Sequence, residues 1–265
     1  MTVARGYESV NTPRIVAEFI PRKQFLVAFG QDYVPGQHVT LLGPTGRGKS
    51  RLCFQLLGQV INPDMPVYSL HGKVRGRDPV VMSVAKRYKL RMVETLPTHT
   101  RQRLDYKRGF NGYLIAPIVK PSTPDKEEEL LHNAFARAIS QNYRTVKHKT
   151  ITHINEAHQV QAELKLREDV EAPLMRGGPD NAVWQEAQRG RFLSYHTYSA
   201  PEHIFIFLDP DADNRKRYSD LGVMDPKELF YLTGNLRTKR VADGRTISEC
   251  LYIRRGSGDV YVVGT

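Results

Sequence analysis

Gly43-Pro44-Thr45-Gly46-Arg47-Gly48-Lys49-Ser50 decides how the rest of this chain is read. The spacing is G-x-x-x-x-G-K-[ST]. Glycines at these positions let the backbone curl, so that successive N–H groups point inward at an anion. A helix starting at the end of such a loop adds unpaired amides and a positive dipole end. Lys49 is spaced to reach the outer phosphates of a nucleotide, and the Ser50 hydroxyl to bind Mg²⁺. The flanks supply the setting. His38 to Leu42 is a short β-type run, and Leu52, Phe54, Leu56, Leu57, Val60 and Ile61 keep an apolar face at helical spacing. The pattern predicts strand, loop and helix, with Gly43, Pro44, Thr45, Gly46, Arg47, Gly48, Lys49, Ser50 and Arg51 around the phosphates. A glycine-rich surface turn is the competing reading.

The totals bound the remainder. At 265 residues and 40% hydrophobic content, the chain can build one large domain with a full core. Its two cysteines, Cys53 and Cys250, stand far apart, so no disulfide framework follows and a reducing cytosol is expected. Cys53, on the helix after the loop, is expected as a buried thiol. No apolar run approaches the ~20 residues of a membrane span, and the N-terminus carries no secretory apolar region. Net charge is +11, an argument about partners and not about fold. The charge falls in clusters: Lys73 to Arg77, Lys86 to Arg91, Arg101 to Arg108, Arg144 to Lys149, Arg215 to Arg217 and Arg237 to Arg240. They read either as a solvated basic surface or as a surface for the phosphate backbone of DNA or RNA. With no zinc finger or similar module, any nucleic-acid contact is expected to be to the backbone.

Along the chain, residues 1–24 read as an irregular extension and 25–265 as the domain. Phe25 to Phe29 reads as a strand. Strands are expected at 38–42, 67–71, 90–95, 112–117, 150–154, 180–187 and 203–208. Helices are expected at 49–61, 78–88, 125–145, 159–175, 213–221 and 226–233, with a short one inside the polar loop 97–111. Ile247 to Val263 alternates around Gly256-Ser257-Gly258-Asp259, a hairpin signal. Strands alternating with helices imply an α/β fold with a mostly parallel sheet covered on both faces. The loop belongs at the carboxyl end of a strand, where ligands of such folds bind.

A nucleotide hydrolase also needs a carboxylate near Mg²⁺ and a group to activate water. Ile151-Thr152-His153-Ile154-Asn155-Glu156-Ala157-His158 fits a strand ending in this function. It is similar to the h-h-h-h-D-E pattern, with Asn155 at the first acidic position. An amide can hydrogen-bond a Mg²⁺-bound water but adds no negative charge, so weaker Mg²⁺ binding or slow hydrolysis is expected. Glu156 is the candidate catalytic carboxylate; an ordinary strand end capping the next helix is the alternative. In Ala182 to Arg189, a strand ending at Gln188 would set an amide near the γ-phosphate or the water.

Together these residues resemble the HerA/FtsK superfamily of ring-forming, DNA-pumping P-loop ATPases, and more closely small ATP-binding proteins of actinobacterial phages and mobile elements. The resemblance rests on Gly43 to Ser50, Ser69-Leu70-His71-Gly72-Lys73 to Arg77-Asp78-Pro79, Asn155-Glu156-Ala157-His158, Gln188-Arg189, Glu202 to Phe207 leading to Asp213 to Gly222, and the closing strand pair. It spans roughly residues 25–263. It implies a RecA-like P-loop fold with a C-terminal β-hairpin, ATP and Mg²⁺ as cofactors, and a homo-oligomeric, hexameric ring on DNA in the cytoplasm, that of a host if phage-encoded. It further implies that Lys49 and Ser50 hold phosphate and metal, that Glu156 activates water, and that Gln188 senses the γ-phosphate. An arginine near the start of the Gln188 strand would act in trans on a neighbour's nucleotide. Arg176 matches best, with Arg189 and Arg191 as rivals and a solvated arginine as the plain alternative. Where the family carries Thr-Gln-Arg-Pro, this chain has Ala187-Gln188-Arg189-Gly190.

Two other functions stay in view. One is an ATP-gated switch or docking component with weak hydrolysis, in a secretion or packaging machine. The other is a small-molecule kinase, for which neither lid nor acceptor pocket is legible. Asp209-Pro210-Asp211-Ala212-Asp213 looks superficially like a calcium loop but lacks the required glycine and glutamate, so a helix N-cap is expected. His153 and His158, five apart across a strand end and with no cysteine partners, are expected as core or hydrogen-bonded residues, and Trp184 as core.

Overall fold

A computed structural model of the chain describes residues 17–62, 64–72, 79–118, 123–145, 149–188, 193–222, 224–240 and 246–264. The strands are Glu18–Pro21 (β1), Val39–Leu42 (β2), Val67–Leu70 (β3), Leu90–Val93 (β4), Gly112–Ile115 (β5), Thr150–Ile154 (β6), Asn181–Ala187 (β7), His203–Phe207 (β8), Thr238–Arg240 (β9), Thr246–Ser248 (β10), Cys250–Arg254 (β11) and Asp259–Gly264 (β12). The helices are Arg22–Asp32 (α1), Lys49–Val60 (α2), Pro79–Arg87 (α3), His99–Lys107 (α4), Pro124–Thr145 (α5), Arg167–Arg176 (α6), His196–Ser199 (α7), Ala212–Arg217 (α8) and Pro226–Gly234 (α9).

Six strands, β2, β3, β5, β6, β7 and β8, are buried along their whole length. Strands without an exposed face must be covered on both sides, which is the condition of a parallel sheet between helix layers. They lie in a ten-stranded sheet of order β1-β12-β11-β8-β2-β7-β6-β3-β5-β4. Every pairing is parallel except those that β11 makes with β8 and β12. The edge strands β1 and β4 are only partly buried. The fold is α/β with helices on both faces and a C-terminal hairpin, β11–β12.

Strand alternation divides the core in two. Val39, Leu41, Val67, Ile151, Ala182, Trp184 and Phe205 pack with α1 and α2. Leu42, Leu70, Ile154, Val183, Ala187, Ile204 and Ile206 pack with α5, α6 and α9. Trp184 is core, as expected, with no exposed surface; its indole N–H donates to the Tyr33 hydroxyl at 3.2 Å.

The departures from expectation are local. Phe25 to Phe29 belongs to helix α1, not a strand. A short apolar run has no decisive period. Phe25 and Phe29, four residues apart, set their rings against Phe205, Tyr252 and Trp184 of the sheet. Within the stretch expected to be irregular, Glu18–Pro21 adds an edge strand parallel to β12. The helix expected from 159 to 175 is broken. Gln159–Glu163 is a π-helical turn, Leu164 N donates to Gln159 O at 2.8 Å, Lys165 takes a φ of +56°, and α6 starts at Arg167. Asp78, where a helix was expected to begin, and residues 73–77 and 189–192 lie outside the described residues. No helix among the described residues is long and apolar enough to cross a membrane.

Two buried histidines stand at strand starts, His38 just before β2 and His203 opening β8. His38 Nδ1 accepts from Val183 N at 2.9 Å, and His203 joins the Tyr252 hydroxyl and Gln37 Oε1, each at 2.9 Å. Burial pulls both imidazoles down to about 4. Their unfolded value is about 6.5, so between the two the unfolded chain binds more protons. Stability is therefore complete above about pH 6.5 and falls as pH drops toward 4, by up to about 3 kcal/mol per histidine. Urea midpoints at pH 7.5, 6 and 4.5 should decline steadily, and His203→Gln should flatten that decline. Midpoints that do not move with pH would contradict this.

Candidate nucleotide site at the strand ends

Three strand ends converge at one edge of the sheet. β2 leads into the glycine loop, β6 into Asn155-Glu156, and β7, lying between them, into Gln188.

The loop is curled by three left-handed glycines, Gly43 (φ +141°), Gly46 (φ +79°) and Gly48 (φ +89°). Gly43 N–H donates to Ala187 O at 3.1 Å, which ties the loop to β7. The first bond within α2 runs from Leu52 N to Gly48 O at 3.0 Å. The amides of Lys49, Ser50 and Arg51 thus precede any intrahelical acceptor, as at every helix start. Lys49 is buried, and its Nζ donates to Pro44 O at 3.0 Å, so its ammonium folds back across the loop. Arg47 is half-buried and Arg51 exposed.

Beneath the first turn of α2 sits a residue that sequence reasoning missed. Glu186 is 1% exposed. Ser50 Oγ donates to Glu186 Oε2 at 2.6 Å, while His153 Nε2 lies 3.0 Å and Asn155 Nδ2 3.3 Å from Oε1. Asn155 Nδ2 is also 3.4 Å from Ser50 Oγ. The parallel register explains the meeting. Glu186 pairs with Leu41 of β2, and Asn155 follows the Ile154–Gln185 pair of β6. The signal in the sequence was a carboxylate inside a strand of a sheet expected to be covered on both faces, since such a group is almost never fully buried unless paired.

The polar chain continues inward. Ser69 Oγ is 2.7 Å from His153 Nδ1 and 2.9 Å from His71 Nε2. One assignment satisfies every group with neutral rings: His71 Nε2–H to Ser69, Ser69 O–H to His153 Nδ1, His153 Nε2–H to Glu186. Burial, then the neighbouring His153, lowers His71 to about 3. Cys53, buried as expected, brings its sulfur within 4.8 Å of the His153 and Glu186 ligand atoms. Histidine with no cysteine nearby in sequence thus gains one in space. Burial, reinforced by the Glu186 charge, pushes this thiol well above its usual range. His153 and Glu186 of this trio are joined to one another and to Ser50, Ser69 and Asn155 by hydrogen bonds.

A second chain links loop and strand ends. Thr45 Oγ1 donates to Gln188 Oε1 at 2.6 Å, and Gln188 Nε2 donates to Glu156 Oε1. Glu156 and Gln188 are both half-buried. Arg176 is not brought here. It is exposed, at the end of α6. It lies before the start of β7, roughly 20 Å from the loop for a strand of this length. Arg189 and Arg191 lie outside the described residues. The Asp211 side chain caps α8, accepting from Asp213 N at 2.9 Å and Asn214 N at 3.3 Å. That is the expected N-cap.

This architecture defines the class: a mixed α/β fold of the RecA-like P-loop NTPase kind, as the HerA/FtsK resemblance implied. Solved structures share it. The genome packaging NTPase B204 from Sulfolobus turreted icosahedral virus 2, in complex with AMPPCP, matches with a TM-score of 0.52 and 15% identity, over 86% of this chain and 97% of that one. The DNA-packaging ATPase B204 from Sulfolobus Turreted Icosahedral Virus matches with a TM-score of 0.52 and 13% identity, over 87% and 98%. No protein-family model and no curated protein matches the chain. At these identities the likeness is one of fold.

The loop's geometry is testable apart from function. A Cβ on Gly43 would lie 2.8 Å from the Phe207 Cβ, and the backbone there is one that side chains avoid; a Cβ on Gly46 meets nothing within 4 Å. Gly43→Ala should lower stability by about 3 kcal/mol, summing strain and overpacking. Gly46→Ala should cost about 1 kcal/mol for the left-handed conformation alone. Urea unfolding of both variants checks the order, and equal losses would refute it.

Proposed function

We propose that this chain binds Mg·ATP in the Gly43 to Ser50 loop and hydrolyses it as one subunit of a ring that moves DNA. The observation that carries the reading is the hydrogen-bonded chain Thr45–Gln188–Glu156, which joins the loop to the carboxyl ends of β7 and β6. A surface turn would have no reason to be wired to two carboxyl-terminal strand ends.

The roles follow from chemistry. The loop amides and the Lys49 ammonium neutralise the β- and γ-phosphates. The donor set beside Ser50 is a hydroxyl, an amide and a carboxylate, hard oxygen chemistry that fits Mg²⁺. Ser50 would hold the ion, with Asn155 acting through a bound water. An ion held there would supply positive charge to offset the charge developing on the phosphates. Glu156 orients a water and accepts its proton as the water oxygen attacks the γ-phosphorus and the bond to the bridging oxygen breaks, leaving ADP and phosphate. Gln188, touching both loop and Glu156, is the sensor of that change. Arg176, exposed and about a strand length from its own loop, would serve a neighbour's nucleotide in this reading. The packaging activity named for the B204 structures, together with the net charge of +11, favours DNA as the partner.

Asn155 favours a second reading, an ATP-gated switch that binds tightly and turns over little. One set of assays separates the two. Wild type should hydrolyse ATP, faster with duplex DNA. Lys49→Ala should lose nucleotide binding, and Glu156→Gln should bind while turning over 10²- to 10⁴-fold more slowly. A single turnover that yields binding without product selects the switch. Duplex DNA that neither binds nor stimulates removes the translocase. Mass in solution with ATP and DNA reports the ring.

The basic surface has its own test. Arg237, Lys239 and Arg240 are exposed on or beside the β9–β10 ribbon. This ribbon precedes β11, whose first residue pairs with Phe207 at the end of β8, the same sheet edge as the loop. Lys239→Glu with Arg240→Glu should weaken duplex binding irrespective of sequence and lower the slope of log affinity against log salt by about 2. An unchanged slope would leave the ribbon a solvated surface.

A further inference from the structure

Glu186 is a buried carboxylate faced by Ser50, His153, Asn155 and Cys53. No lysine or arginine pairs with it among the described residues; its one ion-pair contact is His153. Burying a carboxylate with no lysine or arginine to pair with it is costly. The cost is understandable only if the charge has a partner that arrives later.

Two further facts say where. Ser50 spends its proton on Glu186, which leaves the lone pairs of that oxygen for a cation. Asn155, at the strand end where P-loop sites hold an aspartate for Mg²⁺, brings an amide and donates to the same carboxylate. A carboxylate has left one strand end, and another stands on the adjacent strand, in contact with the serine the first would have served.

We propose that Glu186, from β7, supplies the negative charge for the Mg²⁺ of a bound nucleoside triphosphate, in place of the carboxylate that β6 lacks. It acts as a positioning residue through Ser50, orienting that hydroxyl and offsetting the charge of the ion. His153 and Asn155 in turn hold Glu186. The proposal rests on the Mg·ATP reading of the loop.

The test measures nucleotide affinity by titration calorimetry with ATPγS, once with Mg²⁺ and once with EDTA. The readout is the ratio of the two affinities. Wild type should bind more tightly with Mg²⁺. Glu186→Gln should lose that gain by about 10- to 100-fold, as loss of a supporting ligand does at metal sites, while affinity in EDTA stays level or rises. Asn155→Asp added to Glu186→Gln should restore most of the gain, without restoring a carboxylate at position 186. A merely structural Glu186 would lower the melting temperature and leave the ratio unchanged. If Glu186→Gln does not fold, Glu186→Asp keeps the charge but retracts it from Ser50 and should shrink the ratio severalfold. A wild-type ratio in the variant that folds overturns the proposal alone. Wild-type protein that binds ATPγS in neither medium overturns the nucleotide reading with it.

Discussion

A buried carboxylate under the first turn of a helix sets the terms for everything around it. Glu186 has essentially no contact with water, and the penalty for holding it there is several kcal/mol before its partners are counted. Part is offset by the positive end of α2 above it, and part by the donors that face it. Those donors are Ser50, His153 and Asn155, and the Ser69–His71 contact holds the His153 ring behind them. On the proposed reading, the Glu186 carboxylate lies below the site and the amides of the first turn of α2 lie above it. A bare triphosphate meets attraction from one and repulsion from the other. A triphosphate that brings its own cation meets attraction from both.

Register makes this arrangement all-or-none. Glu186 shares its sheet face with Trp184 and Ala182, which lie in the α1–α2 core, while Gln185 and Val183 face the opposite layer. A one-residue slip of β7 would put Glu186 into the apolar α5–α6 side and Gln185 under the loop. The aromatic cluster of Trp184 with Phe29 and Tyr33 resists such a slip. Core packing and site chemistry are thus set by the same alternation, and the large apolar residue fixes the position of the polar one two residues on.

Much of this was legible in the chain because the signals are local. The loop announces itself through glycine spacing. The central strands are continuous apolar runs, the hairpin is marked by Gly256 to Asp259, and Asp211 caps its own helix. What was not legible depends on contacts distant in sequence. Phe25 to Phe29 is helical because of rings on β7, β8 and β11, which no window of neighbouring residues contains. The break at Lys165 replaces a helix that the apolar period alone would have continued. Glu18–Pro21 is a strand only because β12, more than 200 residues later, offers it an edge. Asn155 read as a missing charge, and the charge that stands beside it lies on a different strand, 31 residues away.

The second polar chain shows why an amide suits the end of β7. Gln188 accepts from Thr45 with its oxygen and donates to Glu156 with its nitrogen. Aspartate or glutamate could do only the first, lysine only the second. Each such bond is worth about 1 kcal/mol net, so the link from loop to carboxylate is a matter of roughly 2 kcal/mol. That is small beside a set of phosphate contacts. On the proposed reading, a γ-phosphate oxygen competes for the Gln188 N–H, and Glu156 is released to accept from water instead. When the phosphate leaves, the amide returns to Glu156. A sensor held by much stronger bonds would not yield to the phosphate, and one held by none would not return.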